Sequence, residues 1–485
     1  MSPSTSTQAT TKAPTFADLG VRTFINGYGT YTIFSGSRAL PQVVEAMVEA
    51  TNHYVHMDEL MEKVGERLAE LTGAEWGYIP DGCAAGLAQV AAACIAGADP
   101  EKMTRLPDTT GLKNEIIMQK SHRNGYDWAM RMTGARMVEV ETVADLRAAF
   151  SERTALVAIT GDLEERSTIP IQTMIDMARE RGVPTLVDAA AQRPNVPNRY
   201  LQMGADVVLY SGGKCLRGPQ ASGLVLGRKD ILKAAFLNGA PHHAIGRPMK
   251  AGKEEIMGLL AAVEAWIKGR DHEAEWKMWE GYLDEIRQAV ESLPTVQTRI
   301  VQPGLANNTP MLAIAWDPAT LHVTPAQVHR ELMEGTPAIV IHLTQDGLRV
   351  NPYMLEKGEA AIIARRLREL LTDREPAPAA PVEGEPAQVA GSWLVHIQYV
   401  LGASTHSMEL KQEQRQLSGI YRSQFNEVPI EGQVRGDQIE FHVTLGYQIN
   451  RVRYAFSGTA RDGAMQGEVS LGEFGKASWR AERVS

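Results

Sequence analysis

Cysteine is scarce in this sequence, because only Cys83, Cys94 and Cys215 occur among its 485 residues. Three scattered thiols cannot build a disulfide framework and do not have the spacing of a zinc site, so we expect no metal centre. Such cysteine usage is typical of a reducing compartment, and we expect a cytoplasmic protein. No run approaches the ~18 consecutive apolar residues that a membrane-spanning helix needs, so we expect no membrane partner.

Blocks of basic residues are missing as well. The net charge is −9, and the Lys and Arg residues are spread along the chain rather than clustered. Because nucleic-acid-binding surfaces depend on such clusters, we expect a small-molecule partner and no nucleic acid. Residues 1–15 are rich in Ser and Thr and contain no apolar core. We therefore expect neither a secretory signal nor an anchor there, and we predict a disordered N-terminus.

The remaining composition is that of a globular protein, with 44% apolar and 22% charged residues. Strand-like and helical runs alternate from residue 76 to residue 188, which predicts an α/β domain with a mainly parallel sheet and helices on both faces. We assign this large domain to residues 16–250. Longer helical runs and two further strand-like runs predict a smaller α+β subdomain over residues 251–372.

The last quarter of the chain has a different pattern. Residues 373–390 contain four prolines among Ala, Glu and Gly, which is typical of a linker. Residues 391–485 consist of short strand-like runs separated by turn signals, which predicts an all-β sandwich or a small antiparallel barrel. Its histidines, among them His396, His406 and His442, are expected to be structural.

The most informative stretch is Ser211-Gly212-Gly213-Lys214, which lies between two apolar runs that predict short buried strands. A lysine at the end of a buried strand is partly desolvated, which lowers its pKa and frees the amine to attack a carbonyl. We therefore hypothesise that Lys214 forms a Schiff base with pyridoxal phosphate (PLP). An isolated Gly-Gly-Lys is more often a surface hairpin turn, so the hypothesis needs support from other residues.

Asp188 supplies the first support, because it ends the buried-strand pattern 184–187. A carboxylate at a strand end needs a partner, and the N–H of a protonated pyridine ring is a suitable one. A helix cap or a turn residue is the alternative interpretation. Ala190 is small enough for a flat ring to lie against it.

Two further patterns fit the other parts of PLP. Gly82, Cys83 and Ala84 join a predicted strand to a helix start, where backbone N–H groups and the helix dipole favour a phosphate. Ser211 is a candidate for an additional phosphate hydrogen bond. His122 follows the predicted strand 115–118, so its imidazole is a candidate to stack on the ring. Small residues also cap ordinary helices, and most histidines at such positions are structural.

Arginine is the natural clamp for a substrate carboxylate, because its guanidinium offers a planar fork of donors. Arg349 lies in a strand-like run of the predicted smaller subdomain and is the candidate for this role, with a surface arginine as the alternative. Arg217, Arg247 and Lys250 are candidates to bind a substrate phosphate.

Together these motifs resemble one enzyme family. The matching segments are Leu186-Val187-Asp188-Ala189-Ala190-Ala191, the run from Ser211 to Gln220, Gly246-Arg247-Pro248-Met249-Lys250, and Ile25-Asn26-Gly27-Tyr28-Gly29-Thr30-Tyr31-Thr32. They are similar to the fold-type I PLP enzymes related to selenocysteine synthase (L-seryl-tRNA selenium transferase), and more specifically to their D-glucosaminate-6-phosphate ammonia-lyase branch. The resemblance covers roughly residues 17–372.

The resemblance implies Lys214 as the Schiff-base lysine, Asp188 as the partner of the ring nitrogen and His122 as the stacking residue. It also places Asn26 and Tyr31 near the substrate. It implies a homo-oligomeric lyase that abstracts a proton from Cα of an amino acid or amino-sugar acid and releases ammonia and a 2-keto acid. Transamination, racemisation and β-replacement by selenium or sulfur remain open, as does an inactive binding or assembly protein with a ligand-holding barrel.

Overall fold

The computed structural model describes residues 12–306, 308–372, 374–375 and 384–484. The chain divides into two compact units, Met1–Pro376 and Ala377–Ser485. The predicted disorder at the N-terminus falls largely on residues 1–11, which lie outside the described residues. The same holds for residues 373 and 376–383 of the predicted linker. In the part of the chain that the model describes, no helix is long and apolar enough to cross a membrane.

The α-helices of the described residues all belong to the first unit. They are α1 Pro41–Thr51, α2 Met57–Thr72, α3 Gly82–Ala96, α4 Pro100–Met103, α5 Trp128–Arg131, α6 Val143–Ala149, α7 Ile171–Glu180, α8 Arg199–Met203, α9 Lys229–Leu237, α10 Lys253–Glu264, α11 His272–Val290, α12 Pro318–Leu321, α13 Pro325–Glu334 and α14 Glu359–Leu371. A π-helical turn, Ala265–Gly269, follows α10.

The strands of the first unit form two sheets. They are β1 Phe24–Gly27, β2 Trp76–Tyr78, β3 Glu115–Gln119, β4 Arg136–Val140, β5 Thr154–Thr160, β6 Thr185–Asp188, β7 Val207–Ser211, β8 Gly223–Gly227, β9 Gln297–Val301, β10 Met311–Ala315, β11 Ala338–Leu343 and β12 Gly347–Val350.

The larger sheet has the order β2-β8-β7-β6-β5-β3-β4. All neighbours are parallel except β8, which runs antiparallel to both β7 and β2. The predicted α/β fold with a mainly parallel sheet is therefore confirmed. Because β2, β3, β5, β6 and β7 run in one direction, their carboxyl ends share one edge, where open α/β sheets bind ligands.

Local sequence explains why these elements form. Every residue of β5 is buried, as expected for a central parallel strand with helices on both faces. Helix α3 is rich in Ala and almost wholly buried, and its small residues allow close packing on the sheet. Helix α2 ends at Thr72, and the next residue, Gly73, adopts the left-handed conformation that commonly follows a helix.

The smaller sheet has the order β1-β11-β12-β10-β9. Its edge strand β1 comes from the N-terminus and pairs in parallel with β11, with Phe24 opposite Ala338. The sequence interpretation had grouped this segment with residues 16–250. Pairing between strands that lie so far apart in the chain leaves no local signal, which is why the sequence did not indicate it. The pairing brings residues 28–32 beside the smaller sheet.

The second unit is a closed barrel of eight antiparallel strands, so the barrel, not the sandwich, is the fold present. They are β13 Gly391–Gln398, β14 Ala403–Glu413, β15 Gln416–Arg422, β16 Glu427–Arg435, β17 Gln438–Tyr447, β18 Asn450–Arg461, β19 Ala464–Ser470 and β20 Lys476–Arg483.

Large side chains fill the interior of the barrel. Phe441 and Phe456 stack with ring centroids 4.4 Å apart, and Trp479 meets both rings edge-on. His406 is buried and its Nδ1 lies 2.7 Å from the hydroxyl of Tyr421. Such packing gives the barrel a core of its own.

We predict that two helical glycines respond oppositely to alanine. A Cβ at Gly65 in α2 would lie 2.1 Å from the buried indole of Trp76, so Gly65→Ala should destabilise the protein by about 1–3 kcal/mol through overpacking. Gly281 in α11 faces open space, so Gly281→Ala should stabilise by about 0.5–1 kcal/mol. Urea unfolding measures both changes. Equal effects of the two substitutions would contradict the packing of α2 on β2.

Candidate active site

Lys214 lies in a tight turn that follows β7 at the carboxyl edge of the larger sheet. The turn is closed by backbone hydrogen bonds, in which the N–H of Gly212 donates to the Ser222 carbonyl at 2.9 Å and the N–H of Gly218 donates to the Gly212 carbonyl at 2.9 Å. Gly213 is buried, and a Cβ there would meet Gln220 at 2.3 Å. The turn is thus packed into the unit and is not a surface hairpin.

A cavity of about 320 Å³ opens at Lys214. Its wall combines the lysine turn with the N-terminal segment and with loops of the smaller sheet. The lining residues are Tyr28, Gly29, Thr30, Tyr31, Thr32, Tyr126, Ala191, Lys214, Ala306, Asn308, Thr309, Met311, His342, Asn351 and Tyr353. Most of them offer hydroxyl, amide or imidazole groups, so the cavity recognises hydrogen-bonding partners.

Asp188 ends β6 next to the lysine turn, and it is only 8% exposed. Its Oδ1 accepts the N–H of Ala190 at 3.1 Å and faces the thiol of Cys83 at 3.6 Å. Burial raises the pKa of Asp188, whereas the charge of Lys214 opposes that rise. The carboxylate therefore needs a cationic partner close to it.

Asp162 is a second carboxyl at the same edge, which the sequence interpretation did not include. It follows β5, whose last residue Thr160 lies opposite Asp188 in the sheet register. Its Oδ2 accepts the N–H of Ala191 at 3.0 Å. Burial, with a smaller contribution from the charge of Asp188, raises the pKa of Asp162 to about 7. Its position just beyond a predicted strand was the available signal.

The first turn of α3 meets Asp188 through Cys83, so Gly82, Cys83 and Ala84 lie at this edge as expected. The N–H of Gly82 donates to the Pro80 carbonyl at 2.9 Å. The side chain of Asp81 makes no capping hydrogen bond within the described residues, so the next N–H groups of the first turn of α3 suit an anion. Ser211 ends β7, and its N–H donates to the Ala190 carbonyl at 3.2 Å. Ala190 and Ser211 are thereby fixed against each other.

His122 is fully buried and does not line the cavity formed by the described residues. Its Nδ1 accepts the N–H of Thr160 at 3.2 Å, and its Nε2 lies 2.8 Å from the hydroxyl of Ser167. Burial lowers the pKa of His122 to about 4, so the ring is neutral. Tyr126, which is 64% exposed, is the aromatic side chain from this segment that lines the cavity.

The arginines proposed for substrate binding do not line the cavity among the described residues. The Nε of Arg349 is buried without a hydrogen-bond partner in the described structure. Arg217 adopts a left-handed backbone with a φ of 56°, and its Nε donates to the Arg38 carbonyl at 2.9 Å. Its guanidinium also lies 3.8 Å from Glu356.

The N-terminal segment forms one wall of the cavity. Asn26 shapes this segment, since its Oδ1 accepts the N–H groups of Tyr28 at 2.9 Å and Gly29 at 3.0 Å. Tyr31 lines the cavity directly. Tyr28 stacks on His342 with ring centroids 3.7 Å apart, and the Nε2 of His342 donates to the Tyr28 carbonyl at 2.6 Å. Burial lowers the pKa of His342, so it presents a neutral ring.

Comparison with known proteins identifies the family. Residues 120–271 match the model of the aminotransferase class-V family. The chain is 33% identical to a 5'-C-glycyluridine monooxygenase-decarboxylase of Streptomyces sp over 75% of this chain and 93% of that protein. It is 30% identical to the D-glucosaminate-6-phosphate ammonia lyase of Salmonella typhimurium over 73% of this chain and 97% of that protein. The chain belongs to the fold-type I PLP-dependent family of these enzymes.

A solved structure supports this placement. The structure of a D-glucosaminate-6-phosphate ammonia-lyase superposes with a TM-score of 0.66 at 29% identity, covering 74% of this chain and 99% of that chain. The predicted family and cofactor are therefore confirmed, and the chain is a PLP-dependent enzyme of the lyase type. About a quarter of the chain lies outside these matches.

The residues at the sheet edge fit PLP chemically. The buried Asp188 lacks a cationic hydrogen-bond partner in the described structure, and the buried Oδ1 of Asp162 has no hydrogen-bond partner there at all. The uncapped start of α3 suits a phosphate, and Lys214 supplies an amine at the cavity wall. Each functional group of the cofactor thus has a matching group at this edge.

We predict that His122→Gln separates a structural from a stacking role. In the unfolded chain the imidazole takes up a proton below its ordinary pKa of about 6.5, whereas in the folded protein it does so only near 4. The fold should therefore lose up to roughly 3 kcal/mol as pH falls through this window, and the glutamine variant should lose less. Unfolding at pH 7 and pH 4.5 measures this difference.

The same variant should take up PLP with unchanged affinity, measured by absorbance of the reconstituted protein. A large loss of PLP affinity with an unchanged stability profile would instead support the stacking role that the family resemblance implies.

Proposed function

We propose that this enzyme eliminates ammonia from an amino-sugar acid or a related amino acid with a hydroxyl at Cβ, at a PLP site built on Lys214. The support is the cavity at Lys214, whose lining is dominated by hydroxyl and amide groups that suit a polyhydroxylated chain. One relative, the ammonia lyase, is named for an amino-sugar acid, D-glucosaminate 6-phosphate. The hydroxyl leaves Cβ as water together with the Cα proton, and hydrolysis of the resulting enamine gives a 2-keto acid and ammonia.

The residues at the carboxyl edge of the larger sheet have separate roles in this proposal. When bound, PLP stores the electron pair that is released at Cα of the substrate. Lys214 holds the cofactor by its amine and, once free, takes the Cα proton. Asp188 keeps a proton on the ring nitrogen. Gly82, Cys83, Ala84 and Ser211 hold the phosphate. Asn308, Thr309 and Asn351 orient the substrate by hydrogen bonds from the facing wall.

A second candidate is oxidative decarboxylation, favoured by the 33% identity to a monooxygenase-decarboxylase. In such a reaction an amino acid and O₂ yield a carboxamide, CO₂ and water. The amine nitrogen stays in the carboxamide, so release of ammonia distinguishes the elimination from this second candidate.

We further propose a cytoplasmic homo-oligomer. The three cysteines are free, which suits a reducing compartment. Val44 and Val48 lie one turn apart on an exposed face of α1, and the neighbouring Tyr54 is fully exposed. Contiguous exposed apolar side chains favour contact with another chain.

One end of the barrel offers a similar apolar surface. Alternate hairpins turn at the same end of an up-and-down barrel, and four of them carry exposed apolar side chains. These residues, here the barrel rim, are Val400, Leu401, Phe425, Tyr447, Ile449 and Phe474. The opposite end carries polar turns such as Asp462-Gly463. We propose that the barrel rim contacts a second copy of the chain.

The elimination predicts release of ammonia with an equal amount of 2-keto acid from a panel of D- and L-β-hydroxy amino acids and amino-sugar acids. Lys214→Ala should abolish both products, because it removes the amine that holds the cofactor and takes the proton. Lys277→Ala is the matched control, since this lysine is exposed on α11 and pairs with Glu273. Coupled assays for ammonia and keto acid give the result.

Three arms of this assay separate the alternatives. Keto product that requires an added keto-acid acceptor would indicate transamination, and O₂ uptake with CO₂ release would indicate the decarboxylase. Comparison of glucosaminate with its 6-phosphate shows whether a phosphate is recognised. A protein that takes up no PLP would refute the enzyme proposal.

The assembly proposal predicts that Val400→Ser, Leu401→Ser and Phe425→Ser together weaken self-association, because each removes exposed apolar area from the barrel rim. The fold should be unaffected, since these side chains are not part of the barrel core. Light scattering coupled to size-exclusion chromatography measures the mass as a function of concentration. Val484→Ser, an exposed apolar residue near the chain end, is the control. An unchanged mass profile would exclude the rim as a self-association surface.

A further inference from the structure

Two carboxyl groups meet at the carboxyl edge of the larger sheet, although the proposed mechanism uses only one. Asp188 ends β6, and Asp162 lies two residues beyond Thr160, which pairs with Asp188 across the sheet. The electrostatic interactions of Asp162 include both Asp188 and Lys214. Asp162 is therefore part of the same local site.

The two oxygens of Asp162 have different surroundings. Oδ2 accepts the N–H of Ala191 at 3.0 Å. Oδ1 is buried and makes no hydrogen bond within the described residues. The side chain of Gln192 is a nearby donor that opposes the rise in the pKa of Asp162. A buried ionised oxygen without a donor is costly, whereas a protonated one is itself a donor and needs an acceptor. The acceptor is missing from the protein side of the site.

Charge balance also favours a protonated Asp162. The charged groups that face it are Asp188 from β6 and Lys214 from the turn after β7, and the neutral titratable groups nearby are Cys83, Tyr210 and Cys215. One lysine offsets one carboxylate. The pKa of Asp162 is raised to about 7 by burial first and by the charge of Asp188 second.

We propose that Asp162 is a cofactor-binding acid that keeps its proton on Oδ1 and donates it to an acceptor oxygen of bound PLP. This inference rests on the proposed PLP site at Lys214. Asp188 and Asp162 then have different roles. The ionised carboxylate of Asp188 pairs with the ring nitrogen, and the neutral carboxyl of Asp162 donates a hydrogen bond to an oxygen of the cofactor. Loss of the proton would leave two anions facing each other, so cofactor affinity falls as pH rises above neutrality.

The test uses pyridoxine 5'-phosphate, which lacks the aldehyde and so cannot react with Lys214. Its dissociation constant is measured by fluorescence titration of the cofactor-free full chain at pH 6 and pH 9. In the unsubstituted protein the dissociation constant should be at least about tenfold higher at pH 9 than at pH 6, because Asp162 loses its proton. Asp162→Asn, which keeps an N–H donor without a titrating proton, should bind at pH 6 and show a smaller rise. Asp162→Ala should bind weakly at both values.

Asp284→Asn is the control, because this carboxylate is exposed on α11 and pairs with Arg287. The titration of the probe itself is common to all variants and cancels in the comparison. Asp162→Asn with the full pH dependence of the unsubstituted protein, or with the weak binding of Asp162→Ala at pH 6, would overturn the inference. Failure of every variant and of the unsubstituted protein to bind the probe would overturn the PLP site as well.

Thermal unfolding of the cofactor-free chain gives an independent readout. An acid whose folded pKa is raised binds its proton more tightly in the folded state. Its stabilising contribution is complete below the unfolded pKa of about 4 and is lost as pH rises through the folded pKa. Asp162→Asn should therefore raise the melting temperature more at pH 8.5 than at pH 5. An equal shift at both values would show that Asp162 is ionised throughout and would also overturn the inference.

Discussion

Buried carboxyl groups next to a single lysine are the constraint on which the active-site region depends. Asp188 is buried at the end of a central strand and has only a backbone N–H and a thiol as hydrogen-bond partners in the described structure. Such an arrangement opposes folding, because burial disfavours the ionised form. The charge of the neighbouring lysine offsets part of this cost, and in the proposed function the protonated ring of PLP offsets the rest. The site is thus a place where stability is exchanged for cofactor chemistry.

The two sheets of the first unit divide the site between them. The larger sheet brings the groups that suit the cofactor to one edge, since its parallel strands end together. The smaller sheet and the N-terminal segment supply the facing wall, which carries Asn308, Thr309, His342 and Asn351. Because β1 pairs with β11, the start of the chain is held at this wall. In the proposed function, cofactor binding and substrate recognition therefore belong to different sheets.

The barrel is built on another principle. Its inner positions alternate along every strand and are filled by aromatic and aliphatic side chains, which closes the sheet and removes exposed strand edges. A filled interior argues against the ligand-holding role considered from the sequence. The apolar side chains that remain exposed are concentrated at the hairpin tips of one end.

Local sequence determined a large part of this protein. Period-2 and continuous apolar runs predicted the strands, and the motifs around Asp188 and Lys214 predicted the cofactor, because each depends on neighbours in the chain. The tertiary structure alone decided which side chains face the cavity. It buried His122, kept Arg349 and Arg217 out of the described lining, and added Tyr126 and His342 to that lining. It also placed Asp162 beside Asp188 at the edge of the larger sheet. The physical reason is that the register between strands distant in sequence, such as Phe24 opposite Ala338, sets the direction of side chains and leaves no trace in local pattern.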